Sequence, residues 1–301
     1  MTKSTKTLIG IVVVLGAIFV IQRLTSSNST TTTLKPFAKI DTSQINSIAI
    51  DFSKNIVMSR ASGGWEVTWP VKSPASMSQI SMFLVRIATN PTATVVANDL
   101  KDSVAYGLVS SSPMVMLKEN NGKSLSFRLG NITPDFNGCY MQVKGDKRVL
   151  ELSTNFRTMA GQSLTDWRDK EIFTVHLSNI AAADFSVGDT LYHFFKSDTL
   201  WKVNNVAVPK ETAQNIIESL LDTRATGFVD TATHVTNHLM EYGITLNNKE
   251  HFAGTLFQLS GRVCLTNTAT NQTYVVSSML PQTLDQSLRN LHKIYLTRVR
   301  S

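Results

Sequence analysis

Cysteine is scarce in this chain. There are two, Cys139 and Cys264, which leaves room for one bridge at most. Charge is scarce too. Asp, Glu, Lys and Arg together make up 17% of the residues, below the usual quarter, while Ser, Thr and Asn are abundant. That bias suits an envelope or extracellular protein better than a cytosolic enzyme. The net charge is +7, and its excess sits at the two ends. Lys3, Lys6 and Arg23 flank the first apolar run, and Arg289, Lys293, Arg298 and Arg300 close the chain. The body between them is near neutral. It has no basic stripe with interleaved aromatics, so no nucleic-acid partner is expected. Also missing are a P-loop, a dinucleotide fingerprint, Gly-x-Ser-x-Gly and His-Glu-x-x-His. No catalytic residue, cofactor or metal site is assigned, and the chain is read as a non-enzyme.

What is present begins at the N-terminus. Residues 8–21 are all apolar or Gly. Extended to residues 7–24, a helix would span roughly 27 Å, close to the ~30 Å hydrocarbon core, with Gln22 and Arg23 reaching outward. A cleaved signal peptide is the competing reading, but no Ala-x-Ala follows the run. The expectation is an uncleaved single-pass anchor in a bacterial inner membrane. Lys3 and Lys6 keep the N-terminus inside, and the rest lies in the periplasm or outside. Residues 25–36 are polar and read as a Ser/Thr-rich tether.

The chain then repeats itself. Trp65 and Trp201 are 136 residues apart, and so are Ile80 and Ile216, Leu84 and Leu220, Tyr106 and Tyr242, and Gly107 and Gly243. Further on the offset contracts to 125, between Cys139 and Cys264. Around these positions run alternating strands, a Trp-bearing strand and a helix with apolar residues at helical spacing. The predicted fold is α+β: two tandem copies, at 37–172 and 173–297, followed by a basic tail at 298–301. Each copy is expected to be a mostly antiparallel sheet packed on one longer helix, the pair preceded by a single transmembrane helix. The recurring aromatics are read as core, and Gly107 and Gly243 as positive-φ turns that let the tyrosines pack. Equivalent cysteines in tandem domains lie too far apart to bridge, so both are expected to be free.

Other clusters have plain readings. His234 and His238 would share a face if helical, but they lack a third metal ligand. Asp166, Arg168, Asp169, Lys170 and Glu171 alternate in sign, which suits a solvated face or local ion pairs. The terminal segment with Leu288, Leu291 and Tyr295 on one side could touch anionic lipid, though an ordinary terminal helix suffices.

The segments "WPVKSPASMSQISMFLVRIA", "YGLVSSSPMVMLKENNGKSLSFRLGN", "GCYMQVKGDKRVLEL" and "LTDWRDKEI" resemble the bacterial domain-of-unknown-function family 4340. The likeness is good over 45–173 and weaker beyond, where "LG" and "RDK" are missing. It implies a membrane-anchored envelope protein encoded beside a gliding-motility-type ABC transporter. The implied role is an auxiliary subunit that contacts an ABC permease or an extracytoplasmic auxiliary protein. A small-molecule ligand is not expected. The alternative is a module that binds cell-wall glycan or peptide.

Overall fold

The computed structural model describes residues 33–197, 200–231 and 237–297. The first sheet is built from β1 (Thr33–Leu34), β2 (Ile45–Asp51), β3 (Asn55–Ala61), β4 (Gly64–Trp69), β5 (Ser73–Pro74), β6 (Ala93–Ala97), β7 (Met114–Glu119), β8 (Ser124–Ile132), β9 (Cys139–Val143) and β10 (Val149–Leu152). The second contains β11 (Ile180–Val187), β12 (Thr190–Ser197), β13 (Leu200–Val203), β14 (Val206–Val208), β15 (Gly227–Val229), β16 (His238–Leu246), β17 (His251–Leu259), β18 (Arg262–Asn267) and β19 (Gln272–Val276). Five α-helices are described: α1 (Met77–Ala88), α2 (Phe156–Ala160), α3 (Leu164–Trp167), α4 (Lys210–Leu221) and α5 (Leu280–Leu291).

Strand order in the ten-stranded sheet is β1-β6-β10-β9-β8-β7-β2-β3-β4-β5, and in the nine-stranded sheet β14-β13-β12-β11-β16-β17-β18-β19-β15. Read from opposite ends the orders coincide, with β1 as an addition to the first. The described ladders of both sheets are antiparallel. Even an irregularity recurs: β2 slips against β7 between Ile45 and Ser47, and β11 slips against β16 between Ile180 and Ala182. Such bulges are conserved features of related sheets.

By contacts the chain divides into two compact units. One takes residues up to Asn55 with Phe83–Gly161, the other Ile56–Met82 with Gln162 onward. In the first, Phe37, Ile48, Phe83, Val115, Phe127 and Phe156 are buried. In the second, α4 buries Ala213, Ile216, Ile217, Leu220 and Leu221, and α5 buries Leu280, Leu284, Leu288 and Leu291. The i, i+4 spacing on α5 gives it one apolar stripe, and it lies against α4. Pro281 is accommodated in the first turn of α5, where no intrahelical N–H is required.

Three expectations are corrected. A sheet packed on one longer helix does not describe this fold. The sheets are large and dominate, and in the second unit two twelve-residue helices, α4 and α5, pack together. The sequence under-reports the strands because pieces such as Ser73–Pro74 and Val206–Val208 are too short to show alternation. The transmembrane helix, and with it the single-pass inner-membrane location, is not supported. Among the described residues no helix is long and apolar enough to cross a membrane. The longest α-helices there have twelve residues, or about 18 Å. The segment that prompted the expectation, 7–24, lies outside the described residues. Finally, His238 opens a strand rather than a helix, and His234 lies outside the described residues.

Trp65 and Trp201 occupy matching places. Trp65 on β4 faces Arg60 on β3, and Trp201 on β13 faces Lys196 on β12. Each cation rests over its ring, at 5.2 and 5.3 Å from the centroid. Both indoles are buried. Trp65→Ala and Trp201→Ala are each expected to lower stability by about 3–5 kcal/mol, as large-to-small core changes do. Urea denaturation followed by circular dichroism checks this, and a loss near zero would show that the rings are not core.

Candidate functional site

The structure separates the two tyrosines that share a Tyr-Gly pair. Tyr106 lies in the turn segment before β7 and stacks edge-on against Tyr140, with ring centroids 4.9 Å apart. Gly107 there has φ +67°, and a Cβ would meet the Asn131 side chain at 2.2 Å. Tyr242 lies inside β16, where it faces Phe185, and Gly243 has no positive φ. By register, Tyr242 matches Val115, which faces Ile50 on the equivalent strand pair. The Tyr242 hydroxyl donates to the Thr266 carbonyl at 2.7 Å, and burial pushes its pKa far up.

Cross-strand volumes compensate at this position. Val115 faces Phe127 in the first sheet, and Tyr242 faces Gly254 in the second. A Cβ on Gly254 would sit 1.8 Å from the Thr266 carbonyl and 2.6 Å from the Tyr242 hydroxyl. The cysteines also differ. Cys139 faces Leu152 and shares its side of β9 with buried Met141. Cys264 faces Val275, on the side opposite its neighbour Leu265, and clusters with Phe257. Both are free and buried, and burial raises both thiols. Ile80, Ile216 and Leu220 are buried, whereas Leu84 is half-buried.

The "DWRDKE" segment is structural in a way its alternating charges do not reveal. Ser163 and Asp166 form a capping box at the start of α3. The Ser163 hydroxyl, and then Lys170 at 2.9 Å, hold the Asp166 carboxyl below its ordinary range. Trp167 is buried. Backbone bonds from Ser76 N to Trp167 O and from Asp169 N to Pro74 O tie the segment to β5. Arg168 is only 3% exposed. Its Nη1 donates to both Asp230 oxygens, at 2.7 and 2.9 Å, and its guanidinium carbon lies 3.6 Å from the Phe228 ring centroid. A solvated face is therefore the wrong picture for Arg168. It is a buried cation clamped between a carboxylate and an aromatic face.

In the first unit a second set of polar residues builds a groove. Phe37 is 2% exposed and packs on Phe127 and Phe156 at 5.4 and 5.3 Å, which pins the turn after β1. The buried Glu119 carboxylate accepts from Asp41 N at 2.8 Å and Asn121 Nδ2 at 2.9 Å, with Lys123 Nζ at 3.7 Å. The Asp41 N–H is the main cause of a carboxyl pKa held below its ordinary 4.5. Lys123 Nζ also donates to the Lys39 carbonyl. Between the turn, the start of β8 and the ends of β9 and β10 lies a cavity of about 370 Å³. Its floor is apolar, with Leu34, Ile40, Leu125, Val143 and Leu150. Its charged lining is Lys35, Lys39, Lys123, Asp146 and Arg148. No catalytic constellation was singled out from the sequence. Arg168 and the groove were not recognised, because burial and register, rather than residue type, create them.

A family model described as "Domain of unknown function (DUF4340)" matches residues 65–242. The chain belongs to this family. The match agrees with the likeness of "WPVK", "YGL" and "RDK" to family 4340, and it runs into the second sheet, where that likeness is weaker, as far as Tyr242. No curated protein and no solved structure matches the chain. In this DUF4340 protein, the family-like "RDK" supplies the buried clamp.

Two predictions follow from these contacts. Asp230→Asn should cost roughly 2–4 kcal/mol, below the most severe buried-pair losses because Asp230 itself keeps water contact. Adding Arg168→Met should restore part of that loss, and a double mutant no better than the single would show that the clamp is not electrostatic. The Glu119 carboxylate has a depressed folded-state pKa. Its stabilisation is therefore full above the ordinary value and disappears as pH falls through the lowered one. Urea titrations between neutral and strongly acidic pH should show that decline in the natural chain, and a smaller one in Glu119→Gln.

Proposed function

We propose that this DUF4340 protein is a non-catalytic interaction protein, an auxiliary subunit of a gliding-motility-type ABC transport complex. The observation that carries the reading is the exposure of large apolar side chains along one short segment. Trp69, Met77 and Met82 are 57%, 49% and 48% exposed. Aromatic residues and Met are enriched where proteins meet, and a single Trp often supplies much of the binding energy. Two chemically capable residues are engaged otherwise: Arg168 by Asp230 and Phe228, Tyr242 by Thr266. The resemblance to family 4340 supports the choice of partner.

The test is crosslinked affinity purification from the native cells, with a C-terminal tag and mass spectrometry. The natural chain should recover an ABC permease together with its ATPase. Trp69→Asp with Met82→Asp should lose both while melting at the same temperature. Recovery of the chain alone, recovery of wall fragments only, or an unchanged yield from the variant would overturn the proposal.

A further inference from the structure

The geometry points to a binding site for a small anionic amphiphile in the groove beside β1. By amphiphile we mean a molecule with one anionic head and a single short apolar chain. The groove is lined by four cations, Lys35, Lys39, Lys123 and Arg148, against one carboxylate, Asp146. That carboxylate is already satisfied. Arg148 Nε bonds its two oxygens at 3.0 and 3.1 Å, and Arg148 Nη2 bonds one at 2.6 Å. Lys35 and Lys39 are exposed beside the groove, whereas Lys123 is held by the Lys39 carbonyl and lies 3.7 Å from the Glu119 carboxylate, so Lys35 and Lys39 are the cations that would meet a head group. Below them the floor is hydrocarbon. A bare anion seated there would give up water without gaining hydrogen bonds, whereas an apolar chain would gain by leaving water. Head at the lysines and chain on the floor is the arrangement that satisfies both surfaces.

Size narrows the occupant further. About 370 Å³ is near the small end of ligand pockets, which suits one short chain rather than a two-chain lipid. The walls are pre-formed, because Phe37 is buried in the core and the bonds from Asp41 to Glu119 and from Lys123 to the Lys39 carbonyl hold the end of the turn that follows it. The chain's own N-terminal segment is a poor occupant: residues 1–32 contain Lys3, Lys6 and Arg23 and no Asp or Glu. It brings like charge to a cationic groove. Among the described residues, the site also belongs to one copy only. β1 extends the first sheet beyond β6, while the second sheet ends at the matching strand, β15. A wall present in one copy and absent from its duplicate is what an added function leaves behind, since the shared fold does not need it.

Isothermal titration calorimetry on the full chain in detergent-free buffer tests this with three probes: octyl phosphate, inorganic phosphate and octyl glucoside. Octyl phosphate should bind one to one, with the other two at least about tenfold weaker. Its affinity should fall as salt is raised, because the contact is between exposed charges. Lys35→Glu with Lys39→Glu should weaken octyl phosphate by about tenfold or more, and so should Ala38→Trp, which fills the groove without changing its charge. All three positions are exposed, so the melting temperature should not move. Equal binding of octyl glucoside would make the groove merely greasy, and equal binding of phosphate would make it merely cationic. Either result, an absence of octyl phosphate binding, or undiminished affinity in Ala38→Trp, would overturn the assignment.

Discussion

Each sheet is assembled around one antiparallel ladder between strands far apart in sequence. β2 pairs with β7 and β11 with β16, and in both cases the slip falls at the same place. The residues between the paired strands leave as three strands and a helix and return through one more strand, β15 at the far edge of the second sheet and β6 next to the edge strand β1 in the first. Closing that ladder brings together strands separated by about fifty residues or more. Such long-range pairing is slow to form and sets the register for everything added to it. With the register fixed, the Trp-bearing strands, the helix stripes and the buried polar clamps have one place to go.

Much of this architecture was legible. Alternation marked the long strands, and helical spacing marked α1 and α4. The duplicated tryptophans marked matching strands because an indole under a cation is a large, position-specific commitment. The Tyr-Gly pair misled because identity of two residues says nothing about register. Tyr106 needs Gly107 for a left-handed turn, whereas Tyr242 needs Gly254, twelve residues on, for room across the ladder. The cysteines misled in the same way, since a one-residue difference on a strand turns a side chain to the other face. What composition alone could not supply was burial. Arg168 sits among charges of both signs and looks solvated, yet it is enclosed because its partner, Asp230, comes from a segment 62 residues away.

The two copies spend their polar residues differently. In the first, Glu119 ends β7 and latches the turn that forms the groove. In the second, the register places Leu246 at the matching position, facing Ile180 as Glu119 faces Ile45. Among the described residues, one copy carries an edge strand and a charged latch, the other a twelve-residue amphipathic helix against α4. The shared ladder was kept while the periphery was put to separate uses.

The exchange of bulk between Val115–Phe127 and Tyr242–Gly254 has a consequence for inheritance. Tandem copies that arose by duplication can trade segments by recombination. Here a single strand cannot be traded safely. Placing the β8 sequence at β17 would set a phenylalanine against Tyr242, where even a Cβ collides with backbone. The reverse transfer would leave a glycine opposite Val115 and a hole where Phe127 was. Moving the whole β7–β8 hairpin would not help, because Phe127 would still meet the Thr266 carbonyl on β18, so this pair of positions acts as a barrier to exchange between the two copies.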